Sequence, residues 1–281
     1  MEQVSPPTLN GYRLNGEIGK GGGSVIYQVT QIKTGKIFAL KYVERLTAKH
    51  ARFFEQVQAE HTLAQKVKHP VLRKTIKLER RGLLSTNAML LYMEFVDGRP
   101  LHSLQQTEPS RALLSVAKAA EGLRAIHRMG YVHADMNPKN ILLSKTGEVK
   151  LIDYGQSCKI GTAKKRVQGT LDYISPEQLL KAPLDPRTDV FTLGACMYWA
   201  VTRRTIGNPS LQAKGERRIG SRDIAPPDEL NGLVSESLSD LIMKCLEENP
   251  SDRPRNIDEV VGDLHQEVRD LLHAEAGLTE E

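Results

Sequence analysis

Short apolar runs of β-prone residues dominate the first third of the chain. Residues 25–29 and 37–43 are two such runs, and the Lys-Thr-Gly-Lys sequence at 33–36 between them is typical of a hairpin turn. Residues 89–95 form a third run. A helix is predicted over residues 53–67, where a His-Pro pair follows the pattern. This part of the chain is therefore predicted to be a sheet with one helix.

Helical periodicity replaces the strand pattern later in the chain. Apolar residues recur at steps of three and four over residues 113–126, 238–246 and 257–268, so each set shares one helix face. Residues 141–143 and 149–152 read as two short strands around a turn. The pattern predicts an α+β protein in which a strand-rich N-terminal lobe precedes a helix-rich C-terminal lobe.

The same pattern sets the expected boundaries. A leader over residues 1–11 would precede the N-lobe at 12–96, the C-lobe at 97–272 and an acidic tail at 273–281. We expect the chain to fray from Glu267 onward, because acidic residues crowd its end.

Composition adds limits rather than a function. The chain has 281 residues, of which 40% are hydrophobic and 26% charged, which excludes a wholly disordered protein. Three scattered cysteines form neither a disulfide framework nor a CxxC metal site, which predicts a cytoplasmic location. The net charge of +5 comes with no dense basic stripe, so no nucleic-acid partner is indicated. No apolar run approaches the ~18 residues of a membrane segment.

Candidate phosphate-binding chemistry lies in the first lobe. Glycines cluster at 19 and 21–23, and backbone N–H groups of such a loop can approach phosphates closely, although a flexible turn has the same composition. Lys41, on the next predicted strand, is a cation that could hold phosphate oxygens. Glu60, on the predicted helix, could pair with Lys41 and fix its position.

A second set of candidates follows the first helix of the C-lobe. Asp135 lies in the sequence His-Ala-Asp-Met-Asn-Pro-Lys-Asn, and Asn140 is five residues further on. Asp153 follows the next predicted strand in the sequence Asp-Tyr-Gly. An aspartate can accept a hydroxyl proton, while carboxylate and amide oxygens are ligands that suit Mg²⁺.

These motifs together resemble the eukaryotic-type protein kinase family, and the resemblance runs from about Tyr12 to Leu264. It implies a two-lobed protein kinase-like fold with a β-rich N-lobe and an α-helical C-lobe. It also implies ATP and Mg²⁺ (or Mn²⁺) as cofactors and a protein substrate bearing Ser or Thr. The nucleotide-binding residues that it implies are Ile18, Gly19, Lys20, Gly21, Gly22, Gly23, Ser24, Val25, Ile26, Ala39, Lys41, Glu60, Glu94, Val96 and Leu142.

The resemblance also assigns roles in the reaction. It implies catalytic roles for Lys41, Asp135 and Asn140, and metal binding by Asn140 and Asp153. Residues 153–177 match the activation segment of the family. Glu177 near its end would have Arg253 as a buried partner.

Two residues depart from the family pattern. Ala134 replaces an arginine that usually pairs with a phosphorylated activation segment, which predicts activity without that phosphorylation. Asn137 replaces a lysine that approaches the γ-phosphate. The weaker neutral contact would slow transfer ~5–30-fold, so Asn137→Lys is expected to raise kcat, with Lys139 a solvated surface residue.

Two alternatives to an active Ser/Thr protein kinase follow from these departures. Asn137 also suits a pseudokinase that serves as a nucleotide-binding scaffold. A small-molecule phosphotransferase of the aminoglycoside or choline kinase type tolerates both Ala134 and Asn137 in its catalytic loop. Against the second alternative, Glu177, Asp189 and Arg253 resemble features of kinases that act on proteins.

Overall fold

A computed structural model describes residues 6–21, 23–45, 47, 50–82, 86–104, 106–207 and 224–277. The chain divides into two compact units. The first extends to Lys68 and includes Leu72–Asp97 and Asp153–Gly155. The second comprises His69–Val71, Gly98–Ile152 and the chain from Gln156 onward. The first unit thus contains four residues, Asp97 and Asp153–Gly155, that the sequence boundaries had assigned to the C-lobe, and it lacks His69–Val71, which those boundaries had assigned to the N-lobe.

The first unit is a sheet with one helix. Its elements are β1 (Tyr12–Gly21), β2 (Ser24–Gln31), β3 (Ile37–Glu44), α1 (Ala51–Lys66), β4 (Thr75–Arg81) and β5 (Ala88–Glu94). The strands form an antiparallel sheet in the order β1-β2-β3-β5-β4.

Both faces of this sheet carry buried apolar side chains, because successive residues of a strand point to opposite sides. Leu40 and Leu90 belong to the cluster on one face. Ala39 and Leu91 belong to the cluster on the other face, where Val57 of α1 packs against them. The second face therefore ties β3 to α1, which brings the strand that carries Lys41 against the helix that carries Glu60.

The second unit is mainly helical. Its elements are β6 (Gly98–Pro100), α2 (Pro109–Arg128), β7 (Tyr131–Val132), β8 (Ile141–Ser144), β9 (Val149–Leu151), β10 (Cys158–Lys159), α3 (Pro176–Leu179), α4 (Pro186–Thr202), α5 (Pro227–Leu230), α6 (Glu236–Cys245) and α7 (Ile257–Gly277). The short strands form a sheet in the order β6-β8-β9 and a pair of β7 with β10. Helix α4 is buried along nearly its whole length and forms the centre of the unit.

The predicted α+β class is confirmed, while the expected fraying from Glu267 onward is wrong over residues 267–277; its last four residues, 278–281, lie outside the described residues. Helix α7 continues to Gly277 and buries Val268 and Leu271. In its last turn, the Glu275 carboxylate accepts hydrogen bonds from the Ser110 hydroxyl and, at 3.0 Å, from the Ser110 backbone N–H. The first N–H groups of a helix have no partner within it, so Glu275 satisfies one of those of α2.

Among the helices within the described ranges, none combines the length and the apolar character that a membrane crossing requires.

Candidate active site

Lys41 lies in the middle of β3, and only 7% of its surface is exposed. Because side chains alternate along a strand, Lys41 shares the α1-facing side of the sheet with Ala39 and Val43. Its Nζ lies 2.7 Å from Oε2 of Glu60, which is fully buried on α1. The predicted contact between these two residues is therefore present.

Asp153 is the second carboxylate at this lysine. It follows β9 in a left-handed backbone conformation with a φ of 64°, which aspartate tolerates better than most residues. Its Oδ1 accepts hydrogen bonds from Lys41 Nζ at 3.0 Å and from the Gly155 N–H at 3.3 Å. About 41% of the Asp153 side chain is exposed, so the carboxylate is accessible to a ligand.

Opposite charges keep both side chains ionised. Burial would raise the pKa of Asp153, but the charge of Lys41 and its hydrogen bond, together with the charge of Arg73, lower that pKa to about 2. Burial would likewise lower the pKa of Lys41, yet the charges of Asp153 and Glu60 raise it above its ordinary value. At neutral pH the pair is an ammonium group and a carboxylate.

Arg73 is a member of this site that the sequence analysis missed. Its Nη2 lies 3.2 Å from Oε1 of Glu60, and 7% of its side chain is exposed. The hydroxyl of Tyr154 donates a 3.3 Å hydrogen bond to the Arg73 carbonyl oxygen. We call Lys41, Glu60, Arg73 and Asp153 the charge network; it contains two cations and two carboxylates.

The glycine-rich sequence forms the hairpin between β1 and β2. Gly21 and Ser24 are opposite each other in the register, and Gly22 lies outside the described residues. A Cβ atom added at Gly23 would lie 2.2 Å from Cε2 of Phe53, a residue of α1. A side chain at position 23 would therefore displace Phe53, so this glycine has a packing role in addition to the one expected from its backbone freedom.

The other predicted nucleotide-binding residues lie on several elements and differ in exposure. Ile18 on β1 is 50% exposed, whereas Val25 and Ala39 are buried in the sheet. The Glu94 N–H, at the end of β5, donates to the Lys74 carbonyl oxygen at 2.9 Å. Leu142, on β8, is half-buried and belongs to the second unit, unlike the other four. The remaining members are Gly19, Lys20, Ser24 and Ile26 on β1 and β2 and Val96 after β5.

The loop at residues 133–140, between β7 and β8, is the candidate catalytic loop, and Asp189 of α4 organises it. Its two oxygens accept the N–H groups of His133 at 2.7 Å and Ala134 at 2.8 Å. Ala134 has a φ of 61°, a strained conformation for a residue with a side chain, and these hydrogen bonds hold it there. Burial would raise the pKa of Asp189, but a 2.7 Å contact to His127 lowers it, so the residue stays a carboxylate.

The Asp135 carboxylate and its backbone carbonyl accept hydrogen bonds from uncharged groups of Thr170, Asn137 and Asn140. Its Oδ1 accepts both the N–H and the hydroxyl of Thr170, each at 2.9 Å. The Asn137 amide donates to Thr170 Oγ1 at 3.1 Å and to the Asp135 carbonyl oxygen at 3.0 Å. Asn140 donates to the same carbonyl oxygen at 2.9 Å. The structure thus brings the catalytic-loop candidates together with Thr170 of the activation segment.

A second contact joins the catalytic loop to the activation segment. The Gln178 amide donates to the Ala134 carbonyl oxygen at 2.8 Å and to the Gln168 carbonyl oxygen at 3.0 Å. We call Asn137, Thr170 and Gln178 the neutral clamp, because all three use uncharged groups. Ala134, which stands where the family has an arginine, is one of the residues that this clamp holds. The clamp therefore acts at the position of the missing arginine.

Glu177 and Arg253 form a buried ion pair in the second unit. Nη1 and Nη2 of Arg253 lie 2.9 Å and 3.0 Å from the two oxygens of Glu177, which is the geometry of a paired fork. The predicted partnership is confirmed.

The candidate metal ligands have suitable chemistry. Asp153 offers an ionised, accessible carboxylate, and Asn140 donates through its nitrogen, which leaves the amide oxygen for another partner. Both are hard oxygen donors of the kind that Mg²⁺ prefers. Within the described residues, His, Cys, Asp and Glu form no group of three or more that could hold a metal ion by themselves. Each residue taken by itself therefore suits an ion that takes most of its other oxygens from a bound phosphate or from water.

The protein kinase domain family matches residues 12–264 of the chain. The chain belongs to the protein kinase family. The chain is 29% identical over 278 residues to the serine/threonine-protein kinase PknB of Mycobacterium leprae. It is 28% identical over 274 residues to a probable serine/threonine-protein kinase of Corynebacterium efficiens, and 27% identical over 269 residues to one of Clostridium perfringens.

These protein kinase relatives are longer proteins. The alignments cover 90% to 93% of this chain but only 39% to 44% of the relatives' length. The chain thus spans about two fifths of the length of each of these three relatives.

Proposed function

We propose that this chain transfers the γ-phosphoryl group of ATP to the hydroxyl of a Ser or Thr in a protein substrate. Membership of the protein kinase family and the names of the relatives support this proposal. The observation that carries it is that every group this chemistry needs is present and held by hydrogen bonds. These groups are Lys41, Asp135, Asn140 and Asp153.

In the proposed function, the first unit binds the nucleotide. Lys41, oriented by Glu60, binds the α- and β-phosphate oxygens as a fixed positive charge. Backbone N–H groups of the β1–β2 hairpin face the phosphates, and the backbone at Glu94 and Val96 binds adenine. Catalysis of phosphoryl transfer depends mostly on such positioning and on charge neutralisation.

Asp135 orients the substrate hydroxyl and accepts its proton. As the hydroxyl oxygen bonds to the γ-phosphorus, the bond from that phosphorus to the β–γ bridging oxygen breaks and ADP leaves. Thr170 fixes the Asp135 carboxylate through two 2.9 Å hydrogen bonds, so its direction is set before the substrate arrives.

Asp153 and Asn140 are the proposed ligands of Mg²⁺, or of Mn²⁺ in its place. When bound, the ion supplies positive charge that offsets the charge of the phosphates. Asp153 can serve in this way because its pKa of about 2 keeps it ionised.

The proposal is tested with γ-labelled ATP, Mg²⁺ and a protein substrate rich in Ser and Thr. We expect label on Ser or Thr and none with Asp135→Asn, which keeps the shape of the side chain and removes the proton acceptor. A wild-type chain that binds ATP without transferring label would instead be a nucleotide-binding scaffold. Label found only on small hydroxyl compounds would identify a small-molecule phosphotransferase.

A further inference from the structure

Arg73 occupies a fixed place beside α1. It lies in the connection between α1 and β4, next to the buried residue Leu72. Two side chains of α1 bind the end of this connection at Thr75: His61 contacts its Oγ1 at 2.9 Å, and Gln65 donates to its carbonyl oxygen at 3.0 Å. With Tyr154 bonded to the Arg73 carbonyl oxygen, the backbone that carries the guanidinium is held at Arg73 itself and at Thr75.

Glu60 is shared between two cations. Its Oε2 contacts Lys41 at 2.7 Å and its Oε1 contacts Arg73 at 3.2 Å. Rotation of the carboxylate would break one contact or both, so the Arg73 contact fixes the oxygen that faces Lys41. A carboxylate with one partner would lack this constraint.

Arg73 also balances the charge of the site. Lys41 contacts two carboxylates, Glu60 and Asp153, and Arg73 supplies the second positive charge. Without it, one ammonium group would face two carboxylates in a site where burial makes unpaired charge costly. Lys41 would then be drawn between its two partners.

We propose that Arg73 is a positioning residue for nucleotide binding: it holds Glu60 so that Lys41 presents its ammonium group to the phosphates. The inference rests on the proposed function, because it assumes that Lys41 binds ATP. A purely structural role explains the arginine poorly, since a buried ion pair commonly adds little stability compared with apolar residues of the same size.

The test measures the affinity for Mg·ATP by calorimetric titration in four versions of the whole chain. Arg73→Met removes the charge at similar length, Arg73→Lys keeps it, and Lys74→Met removes the charge of the exposed neighbouring residue as a matched control. We expect Arg73→Met to weaken binding about tenfold to a hundredfold, the range of a lost charged hydrogen bond. Arg73→Lys should recover most of that affinity, and Lys74→Met should bind like the wild type.

A second comparison distinguishes the loss of the Arg73–Glu60 contact from a general loss of structure. In a Glu60→Gln background, Arg73 has lost the carboxylate that it contacts and acts on Asp153 only at longer range, so Arg73→Met should change the affinity less than about twofold. Melting temperatures are recorded for every variant. An unchanged affinity in Arg73→Met, or an equal loss with and without Glu60, would overturn the proposal.

Phosphoryl transfer is scored in the same samples. A wild-type chain that binds ATP but transfers nothing would refute the proposed function, while the affinity comparison would still decide the role of Arg73.

Discussion

The two units hold their functional side chains by different kinds of contact. In the first, the charge network surrounds Lys41 with ion pairs, and all of its members except Asp153 are buried. In the second, the neutral clamp holds Asp135 and Ala134 through amide and hydroxyl groups. In our proposal, ion pairs hold the lysine that binds the anionic nucleotide, whereas hydrogen bonds from uncharged groups of Thr170 orient the carboxylate that accepts the hydroxyl proton.

This difference has an energetic consequence. Removing one partner of a buried ion pair leaves an uncompensated charge and costs ~3–5 kcal/mol. A neutral hydrogen bond contributes ~1 kcal/mol, so the loss of one is a graded change. We therefore expect the charge network to fail as a unit and the neutral clamp to weaken stepwise.

The largest effect is expected from replacing Asp135, the carboxylate that the neutral clamp holds. Asp135→Asn keeps the contacts to Thr170 in shape but removes the proton acceptor, so kcat should fall by at least ~100-fold. The affinity for ATP should stay within about twofold of the wild type. Turnover close to that of the wild type would show that Asp135 does not accept the proton.

The next effect tests whether the charge network acts as a unit. Lys41→Met and Glu60→Gln should each lower kcat/KM strongly, because each leaves charges without partners. The double variant should lose little more than either single one, with an interaction energy of ~1–3 kcal/mol in a double-mutant cycle. Simple additivity would mean that the 2.7 Å contact does not contribute to the activity.

A smaller effect comes from placing a charge in the neutral clamp. The sequence led us to expect that Asn137→Lys raises kcat, but Asn137 is 1% exposed and its amide is occupied by Thr170 and Asp135. We now expect a decrease of about tenfold, because those bonds are lost and an ammonium group is buried.

The control for this variant is Lys139→Ala, which changes an exposed residue two positions away and should leave kcat within about twofold of the wild type. An increase in kcat for Asn137→Lys would instead show that the site lacks a cation at this position.

The smallest effect is expected from removing phosphate. The Thr170 hydroxyl already bonds Asp135, and the buried Ser175 hydroxyl bonds the Gln178 oxygen at 3.1 Å. Since the neutral clamp holds the activation segment, phosphatase-treated protein should keep its activity when assayed over the first turnovers. A large drop would point to a cation that binds a phosphate, and Lys164 of the same segment would be the first to replace.

Much of the fold is visible in the sequence because its elements are periodic. The strands β2, β3 and β5 and the helix α1 all appear close to their predicted positions. Helix α4 shows no apolar stripe in the sequence, because a helix that is buried on all sides has no polar face. Strand β4 was missed because an edge strand that carries Lys77, Arg80 and Arg81 resembles a solvated loop.

Site residues could be predicted where a chemically suitable residue type falls on a predicted element, as for Lys41 on a strand and Glu60 on a helix. Arg73 was missed because a basic residue among other basic residues is usually on the surface, and nothing in a linear pattern marks it as buried. The local role of Asn137 did leave a signal. Its Oδ1 accepts the Lys139 N–H at 3.0 Å, a turn that asparagine favours before proline.

The contact between the C-terminal end of α7 and the N-terminal end of α2 determines how far a recombinant fragment of this domain must extend. The family match ends at residue 264, yet α7 buries Val268 and Leu271 beyond it and reaches Ser110 through Glu275. A recombinant fragment trimmed to residue 264 would expose the surfaces that pack against those two side chains and would uncap α2. Fragments for crystallisation or inhibitor screening should therefore retain residues through Gly277, so that poor behaviour is not mistaken for a lack of activity.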